Sequence, residues 1–365
     1  MKELSNGVLV IPALNPDQKL ISLLEKATEY FSDIIIVNDG SKEESVFENI
    51  KKTFPQVHYL KHNENKGKGK ALKNAMRYFL SSYLFSSYLG IITADGDGQH
   101  DVKDIIALDK QLGKNRKKSL IIGYRDLNSK IMPLRSKMGN KITAFLFSSL
   151  YGIKLKDTQS GLRAFSRDII PWLISVSGAR FEYEMNMLIK IKNTKYQILQ
   201  HPITTKYESN HKSHFRSFVD SIRVLKVLLS GIIKFIIAGL VAGVADIGIF
   251  ALLSSVILVD NSSLAINLLI SSVVARIFSS IINFIFNRFI TFGGTKISKK
   301  SILKYYVLWV VQLSLSYAIV LLLTSLLGGG KIIIKLIVDL VLALLSYRVQ
   351  LKWVFARKEV ENEKG

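Results

Sequence analysis

Ile91-Ile92-Thr93-Ala94-Asp95-Gly96-Asp97-Gly98-Gln99-His100-Asp101 begins as an apolar run and stops at two carboxylates separated by one glycine, with an amide just beyond. That pattern predicts a buried strand delivering oxygen ligands to its C-terminal edge, where open α/β sheets bind their ligands. Two carboxylates and an amide oxygen suit a hard divalent cation, Mg2+ or Mn2+, and such ions usually arrive with phosphates. The plainer alternative is an acidic loop that caps the following helix.

On both sides of this stretch, apolar runs alternate with helical spacing. Strands are predicted at Gly7–Ala13, Asp33–Asn38, Val57–Lys61, Leu89–Ala94 and Leu120–Gly123. Between them, Asp17–Phe31, a Glu- and Lys-rich segment ending at Phe54, Lys66–Tyr83 and Val102–Leu112 have helical spacing. Alternation of this kind indicates a mostly parallel sheet covered on both faces. Asn15, Asn38, Asp39, Asp95, Asp97 and Arg125 gather where strands end, the pattern of a nucleotide-binding crevice. Asn65-Lys66-Gly67-Lys68-Gly69-Lys70 lacks the Gly-x-x-x-x-Gly-Lys-Ser/Thr spacing of a P-loop. It is either a helix N-terminus with basic side chains near a diphosphate or a basic turn before an amphipathic helix.

The 365 residues suffice for two domains, and the absence of cysteine excludes disulfides and thiolate metal sites. The net charge is +22, but residues 232–365 carry only 14 basic and 6 acidic side chains between long apolar runs. That composition points to a membrane rather than a nucleic-acid partner. Four segments, 232–258, 264–290, 305–327 and 332–355, are each long enough to cross a hydrocarbon core that needs about 20 residues. The link at 259–263 has no Lys or Arg, whereas Lys296, Lys299, Lys300 and Lys304 lie in the middle link. The positive-inside rule then places both termini and the middle link in the cytoplasm, in a multi-pass protein of the cell membrane. The opening residues predict no secretory signal. Asn283–Phe292 is echoed by Ser346–Phe355, 63 residues on, as expected of a parallel internal repeat. Asp246, Arg276 and Asp339 fall inside these spans, where charges usually face one another or a polar cavity.

Val10-Ile11-Pro12-Ala13-Leu14-Asn15, Val37-Asn38-Asp39-Gly40-Ser41, Asn65-x-Gly-x-Gly and Ala94-Asp95-Gly96-Asp97-Gly98-Gln99-His100 occur in this order. Together they resemble the family 2 glycosyltransferases of the GT-A fold, and within them the dolichol-phosphate mannosyltransferase branch. Residues 232–355 resemble the GtrA-like four-helix membrane domains that often accompany such enzymes. The resemblance implies an α/β, Rossmann-like nucleotide-sugar-binding domain over residues 1–212, with an interfacial helix at 133–152. An amphipathic linker at 213–231, an all-α four-helix transmembrane domain at 232–355 and a cytoplasmic tail at 356–365 would follow.

By the same resemblance, Pro12, Ala13, Asn15, Asn38, Asp39, Lys68, Asp95, Gly96 and Asp97 would bind the donor nucleotide. Asp95, Asp97 and Gln99 would hold Mg2+ or Mn2+. The family often has an aromatic residue and a Glu where this chain has Leu14 and Pro16, so a GDP- or UDP-sugar remains equally open. Arg135 and Ser136 stand where the family places groups against an acceptor phosphate. Arg125, His214 and Arg216 are further acceptor-phosphate candidates, and Asp97, Arg125 and Arg135 are the expected catalytic set. Asp157-Thr158-Gln159-Ser160-Gly161-Leu162-Arg163-Ala164-Phe165 also matches this branch. There Asp157 and Gln159 would lie near the sugar or support the metal loop, and Arg163 would act in the site or as an ion-paired anchor. Phe181–Met185 borders the donor site in the family, or is simply a helix start with acids at the positive end of its dipole.

The residues at 133–152 begin basic and continue apolar and aromatic, which suits a helix in the membrane interface; the same apolar face could instead pack into the core. Apolar residues with basic neighbours from Phe218 to Leu229 suggest a second interfacial helix. The expected activity is that of a hexosyltransferase (EC 2.4.1.-) acting on a polyprenyl phosphate by metal-dependent inverting displacement, for cell-envelope glycosylation, with homo-oligomerisation open. A processive polysaccharide synthase would need a Gln-x-x-Arg-Trp signature, to which Gln350-Leu351-Lys352-Trp353 is the one approximation. A lipid-linked sugar transporter with a regulatory soluble half is the rival from a different class.

Overall fold

Val8, Leu9, Val10 and Ile11 have no exposed surface, as a strand covered on both faces requires. The computed structural model describes residues 5–127, 132, 134–192, 194–204, 219–257, 264–294, 296–327 and 331–355. The chain divides into two compact units, Met1–Leu228 and Leu229–Gly365.

In the first unit the order is β1 (Gly7–Ala13), α1 (Gln18–Ala27), β2 (Ile34–Asn38), α2 (Ser45–Thr53), β3 (Val57–Lys61), α3 (Lys68–Ser81) and β4 (Gly90–Thr93). It continues with α4 (Val102–Lys114), β5 (Ser119–Arg125), α5 (Leu134–Tyr151), β6 (Arg163–Ser166), α6 (Ile170–Ser175), α7 (Glu182–Ile191) and β7 (Gln197–Ile203). The seven strands form one sheet in the order β3-β2-β1-β4-β6-β5-β7. From β1 the chain winds outward through β2 to β3 and then restarts at β4 on the other side of β1. The crevice at such a reversal is where open α/β sheets bind ligands, and Asp95 follows the end of β4 directly.

The sheet is mixed. β6 pairs antiparallel with both β4 and β5, while the other pairings are parallel. β6 and β7 carry little strand signal. β6 is four residues long and opens on a charged arginine. β7 is a half-exposed edge strand containing Pro202, a residue confined to edges because it cannot donate to the ladder.

A carboxylate fixes the start of β1. Asp109, fully buried on α4, accepts from the backbone N–H groups of Gly7 (2.8 Å) and Asn6 (3.0 Å) and from the Tyr30 hydroxyl (2.9 Å). Helix α5 turns Asn140, Ala144, Phe147 and Tyr151 inward and leaves Leu134, Met138, Ile142 and Phe145 exposed. One face of this helix thus packs inward, and an apolar stripe stays exposed on another.

In the second unit α9 (Leu264–Phe286), α10 (Lys299–Leu327) and α11 (Lys331–Val349) follow α8 (Val219–Leu252). The separate linker helix expected at 213–231 is, from Val219 onward, the beginning of α8; residues 213–218 lie outside the described residues. Among the described residues, three helices, Ser221–Ser255, Ile266–Thr291 and Lys299–Leu326, are long and apolar enough to cross a membrane. The expected fourth span, 332–355, is not among them: α11 has 19 residues and carries Lys335, Asp339 and Arg348.

The sequence echo becomes a repeated structure. Wide helical turns at Asn287–Thr291 and Gln350–Val354 end the two copies. Each closes by a bond five residues back, from Phe292 N–H to the Asn287 carbonyl (2.9 Å) and from Phe355 N–H to the Gln350 carbonyl (2.8 Å). The two phenylalanines stack on each other at 5.1 Å between ring centroids. Gln350–Trp353 is therefore part of a membrane-unit repeat, not of a synthase signature in the catalytic domain.

Asp109→Ala would strand three donors, each costing about 1–3 kcal/mol when buried without a partner. We expect thermal unfolding of the full chain, followed by circular dichroism, to show a loss of roughly 3 kcal/mol or more.

Candidate active site

The site grows from the end of β4. Ala94 donates its N–H to the Val10 carbonyl (3.1 Å), which carries the ladder to the last apolar residue before Asp95. Gly96 lies over the end of β1, 3.3 Å from Ile11 Cγ2 when measured from an added Cβ. A Cβ on Gly161 would stand 2.3 Å from Asp95 Oδ2, so only a glycine leaves this carboxylate its position. Gly161 is held there by the Thr93 hydroxyl, which donates to its carbonyl (3.0 Å).

Lys68, on the first turn of α3, meets Asp95 at 2.6 Å and Glu184 of α7 at 3.2 Å. Burial disfavours the Lys68 ammonium, but the carboxylates of Asp95 and Glu184 outweigh it and raise its pKa. Burial likewise opposes ionised Asp95, and Lys68 and then His100 overcome it, so its pKa is lowered. Asp95 keeps 30% of its side-chain surface exposed, enough to meet a ligand. His100 Nε2 lies 3.6 Å from Asp95 Oδ2, too long for a hydrogen bond. Both buried ring nitrogens of His100 lack a hydrogen-bond partner among the described residues.

The glycine-rich stretch serves close packing. A Cβ on Gly67, which has φ +95°, would meet Ala179 O at 2.6 Å, and one on Gly69 would meet Tyr183 Cβ at 2.5 Å. Arg180 bonds Asn65 across the same contact (3.1 Å). These approaches bring α3 and α7 close enough for Lys68 to share Glu184.

Asn15, with φ 44°, accepts from Lys42 N–H (2.9 Å) and donates its own N–H to the Ser41 hydroxyl (2.8 Å). It thereby ties the loops after β1 and β2. Asn38 is fully buried, donating to Tyr59 (2.9 Å) and accepting from Ser41 N–H (2.8 Å). Asp39 accepts from the backbone N–H groups of Lys66 (3.0 Å) and Gly67 (2.8 Å) and contacts His62 Nδ1 at 2.7 Å. Asn74 Nδ2 lies 2.7 Å from the other His62 nitrogen, so the ring is held at both nitrogens. Asn38 and Asp39 thus shape the crevice floor from beneath. Pro12 and Ala13 end β1 beside them.

Arg125 makes a two-pronged pair with the fully buried Asp157, at 2.6 and 3.1 Å. Two of its nitrogens are committed there, which leaves less of it for an acceptor phosphate than expected. Arg163 is a structural anchor, but without a carboxylate. Buried to 1%, it donates to the carbonyls of Ser160 (2.9 Å), Thr158 (3.3 Å) and Glu184 (3.3 Å). Gln159 reaches Thr143 on α5 at 3.3 Å. Ser136 is exposed on α5; the Arg135 side chain, His214 and Arg216 lie outside what is described. Asp101, not Asp95 or Asp97, caps α4, accepting from Lys103 N–H (3.0 Å).

Asp97 accepts from Gln99 N–H (3.1 Å), so Gln99 supports the loop through its backbone. Among the described residues no group of three or more His, Asp or Glu side chains forms a cage for an ion. Mg2+ is ordinarily held by one or two carboxylates together with substrate phosphates. Asp95 and Asp97 fit a cation that arrives with a diphosphate. Gly161 and His100 had no role of their own in the sequence, and Glu184 only that of the 181–185 stretch: it lies 116 residues from Lys68, and nothing local marks the pairing.

A mixed seven-stranded sheet with an acidic strand end at its point of reversal is a GT-A-like α/β arrangement. Residues 8–171 match the profile of Glycosyl transferase family 2, and residues 234–355 that of the GtrA/DPMS transmembrane domain. A UDP-N-acetylglucosamine--dolichyl-phosphate N-acetylglucosaminyltransferase of Methanococcus voltae is 31% identical over 219 residues, covering 54% of this chain and 85% of that relative. Dolichyl-phosphate beta-glucosyltransferase ALG5A of Trichomonas vaginalis is 29% identical over 44% of this chain and 53% of its own length. The dolichyl-phosphate beta-glucosyltransferase of Saccharomyces cerevisiae is 26% identical over 60% and 72%. Among solved structures, GalNAc-T7 with UDP, GalNAc and Mn2+ aligns at TM-score 0.39 and 12% identity, over 62% of this chain and 48% of that one. The chain belongs to glycosyl transferase family 2 and is a membrane protein with a GtrA/DPMS transmembrane domain.

Two outcomes test this geometry. Gly161→Ala should displace the Asp95 carboxylate and cut sugar transfer at least about tenfold, the factor carried by 1.4 kcal/mol, with the melting curve little changed. Burial raises the Asp157 pKa, but Arg125 outweighs it and the net shift is downward. The stabilisation is therefore complete above the unfolded carboxylate pKa of about 3.9 and is lost as pH falls through the lower folded value. Asp157→Asn should cost about 3 kcal/mol at neutral pH, and denaturation curves should show this gap closing below about pH 4.

Proposed function

We propose that this enzyme transfers a hexosyl group from a nucleotide-sugar, with GDP or UDP as the nucleotide, to a polyprenyl phosphate at the cytoplasmic face of the membrane. The observation that carries the proposal is the Lys68–Asp95–Glu184 cluster at the sheet's point of reversal, in a chain whose named relatives use dolichyl phosphate. The charge asymmetry of the links around the apolar helices supports the cytoplasmic side.

In the proposed reaction an oxygen of the lipid phosphate forms a bond to the anomeric carbon as the bond to the nucleoside diphosphate breaks, with inversion. The nucleophile is already anionic near neutral pH, so no strong base is needed, and rate comes from positioning and charge compensation. Asp95 and Asp97 would hold the divalent cation, Mg2+ or Mn2+, which when bound neutralises charge developing on the departing diphosphate. Pro12, Ala13, Asn15, Asn38 and Asp39 line or support the nucleotide end. Lys68 can turn from Asp95 toward the diphosphate while Glu184 retains it. Arg135 and Ser136, with His214 and Arg216, are proposed for the acceptor phosphate. Arg125 contributes there chiefly by fixing the Asp157 loop. The exposed apolar stripe of α5 supports its placement in the headgroup layer.

The test is a panel of nucleotide-sugars incubated with the full chain and a polyprenyl phosphate, the lipid product being weighed by mass spectrometry. One sugar should add a single hexose unit, and Asp97→Ala should lower that yield by at least about a hundredfold while the protein stays in the membrane. Undiminished turnover by that variant in metal-buffered medium would sink the site assignment; growth of a polymer would revive the processive alternative.

A further inference from the structure

Within the second unit, a cavity of about 180 Å³ is lined by Gly239, Gly243, Asp246, Arg276, Tyr305 and Trp309, among others. Its charges are set deep in an apolar stretch. Arg276 lies twelve residues into α9, about 18 Å along the helix at 1.5 Å per residue. A charge at such depth is costly and ordinarily has a close partner. Asp246 has one: the Ser279 hydroxyl donates to its Oδ1 at 2.9 Å. Arg276 approaches Asp246 Oδ2 only at 3.4 Å and keeps 66% of its side chain exposed. A guanidinium carries five donors in a planar fork suited to phosphate, and one long contact leaves much of that capacity unused. On the face of α8 that carries Asp246, one and two turns before it, there is open space, because a Cβ added to Gly239 or Gly243 meets nothing within 4 Å.

We propose that this cavity binds a phosphate carried on an isoprenoid lipid, with Arg276 gripping the phosphate and Asp246 holding the guanidinium in place. Trp309, which lines the cavity and is 37% exposed, offers packing for the group attached to it. The choice of an isoprenoid rests on the transfer reaction proposed above, while the phosphate site rests on the cavity alone. The same chemistry is offered by the acceptor, a bare lipid phosphate, and by the product, a lipid phosphate bearing a sugar.

Trp309 is a built-in reporter. In the full chain with Trp172→Phe and Trp353→Phe it is the sole tryptophan. This protein, in detergent micelles, is titrated with a short-chain polyprenyl phosphate, with its glycosylated form, and with phosphatidylglycerol. We expect a saturable change in Trp309 emission with one or both isoprenoid phosphates, the stronger response identifying the source. Arg276→Gln should weaken it at least about tenfold. Gly243→Leu should abolish it by filling the cavity. Gly248→Leu is the matched control: it lies on the same helix, its Cβ also meets nothing within 4 Å, and it is not in the lining. It should leave the titration unchanged. A response to phosphatidylglycerol equal to that of the isoprenoids, an unaltered Arg276→Gln titration, or no response at all would overturn the site. Nucleotide binding by the first unit, measured on the same preparations, verifies that each variant is folded. Sugar transfer by the parent without a Trp309 response defeats the cavity alone. A Trp309 response without any transfer defeats the transferase proposal and leaves the cavity standing.

Discussion

The ammonium of Lys68 lies between the carboxylates of Asp95 and Glu184, and the architecture around the crevice depends on that arrangement. A carboxylate following a fully buried strand needs compensation, because a poorly solvated charge without a partner is strongly disfavoured. Lys68 supplies it from the start of α3, and can do so only because Gly67 and Gly69 let that segment touch Ala179 and Tyr183. Glu184 gives the lysine a second carboxylate partner. The arrangement is an ion-pair cluster that joins three elements, α3, the end of β4 and α7. Its geometry is held by buried groups: Asp39 pins the Lys66–Gly67 backbone, and Arg163 ties the Thr158–Ser160 loop to the Glu184 carbonyl.

The elements around the early strands were legible because their signals are local. Aliphatic runs such as Val8–Ile11 and Ile34–Val37 are buried on both faces, and Asp17 and Asp101 mark helix starts through cap bonds that span two residues. Asp95 was legible for the same reason, as a charge placed abruptly after an apolar run. Glu184 was not, since its meaning lies in a partner 116 residues away. β6 was obscured by Arg163, a charge inside a buried strand that is tolerated only because carbonyls from three positions surround it. Arg125 was legible only in part. An arginine at a strand end looks like an anion clamp, yet Asp157 takes two of its nitrogens, and no spacing rule connects positions 125 and 157.

In the membrane unit the repeat at 63 residues was visible as a pattern of amides, a cation and a phenylalanine, but its purpose was not. Turns with a bond five residues back leave the ladder irregular, which apolar surroundings tolerate only where other groups cover it. The stacked Phe292 and Phe355, with Tyr347 and Phe284 beside them, provide that cover. Each copy thus caps the other, which explains why the same residue types recur at both ends.

The two helix pairs nevertheless treat their acids differently. In the second pair Asp339 accepts from Ser316 on the facing helix (2.6 Å) and from Lys335 one turn away on its own helix (2.9 Å), so both oxygens are satisfied at close range. In the first pair Asp246 also accepts from a serine on the facing helix, Ser279, but the acid is on the first helix of the pair rather than the second, and its cation is Arg276, held at 3.4 Å beside a cavity lined by Gly239 and Gly243. The space beside residues 239 and 243 would admit larger side chains. An open polar pair in an apolar layer costs more than a closed one, and a phosphate bound at Arg276 is the partner that would offset the difference.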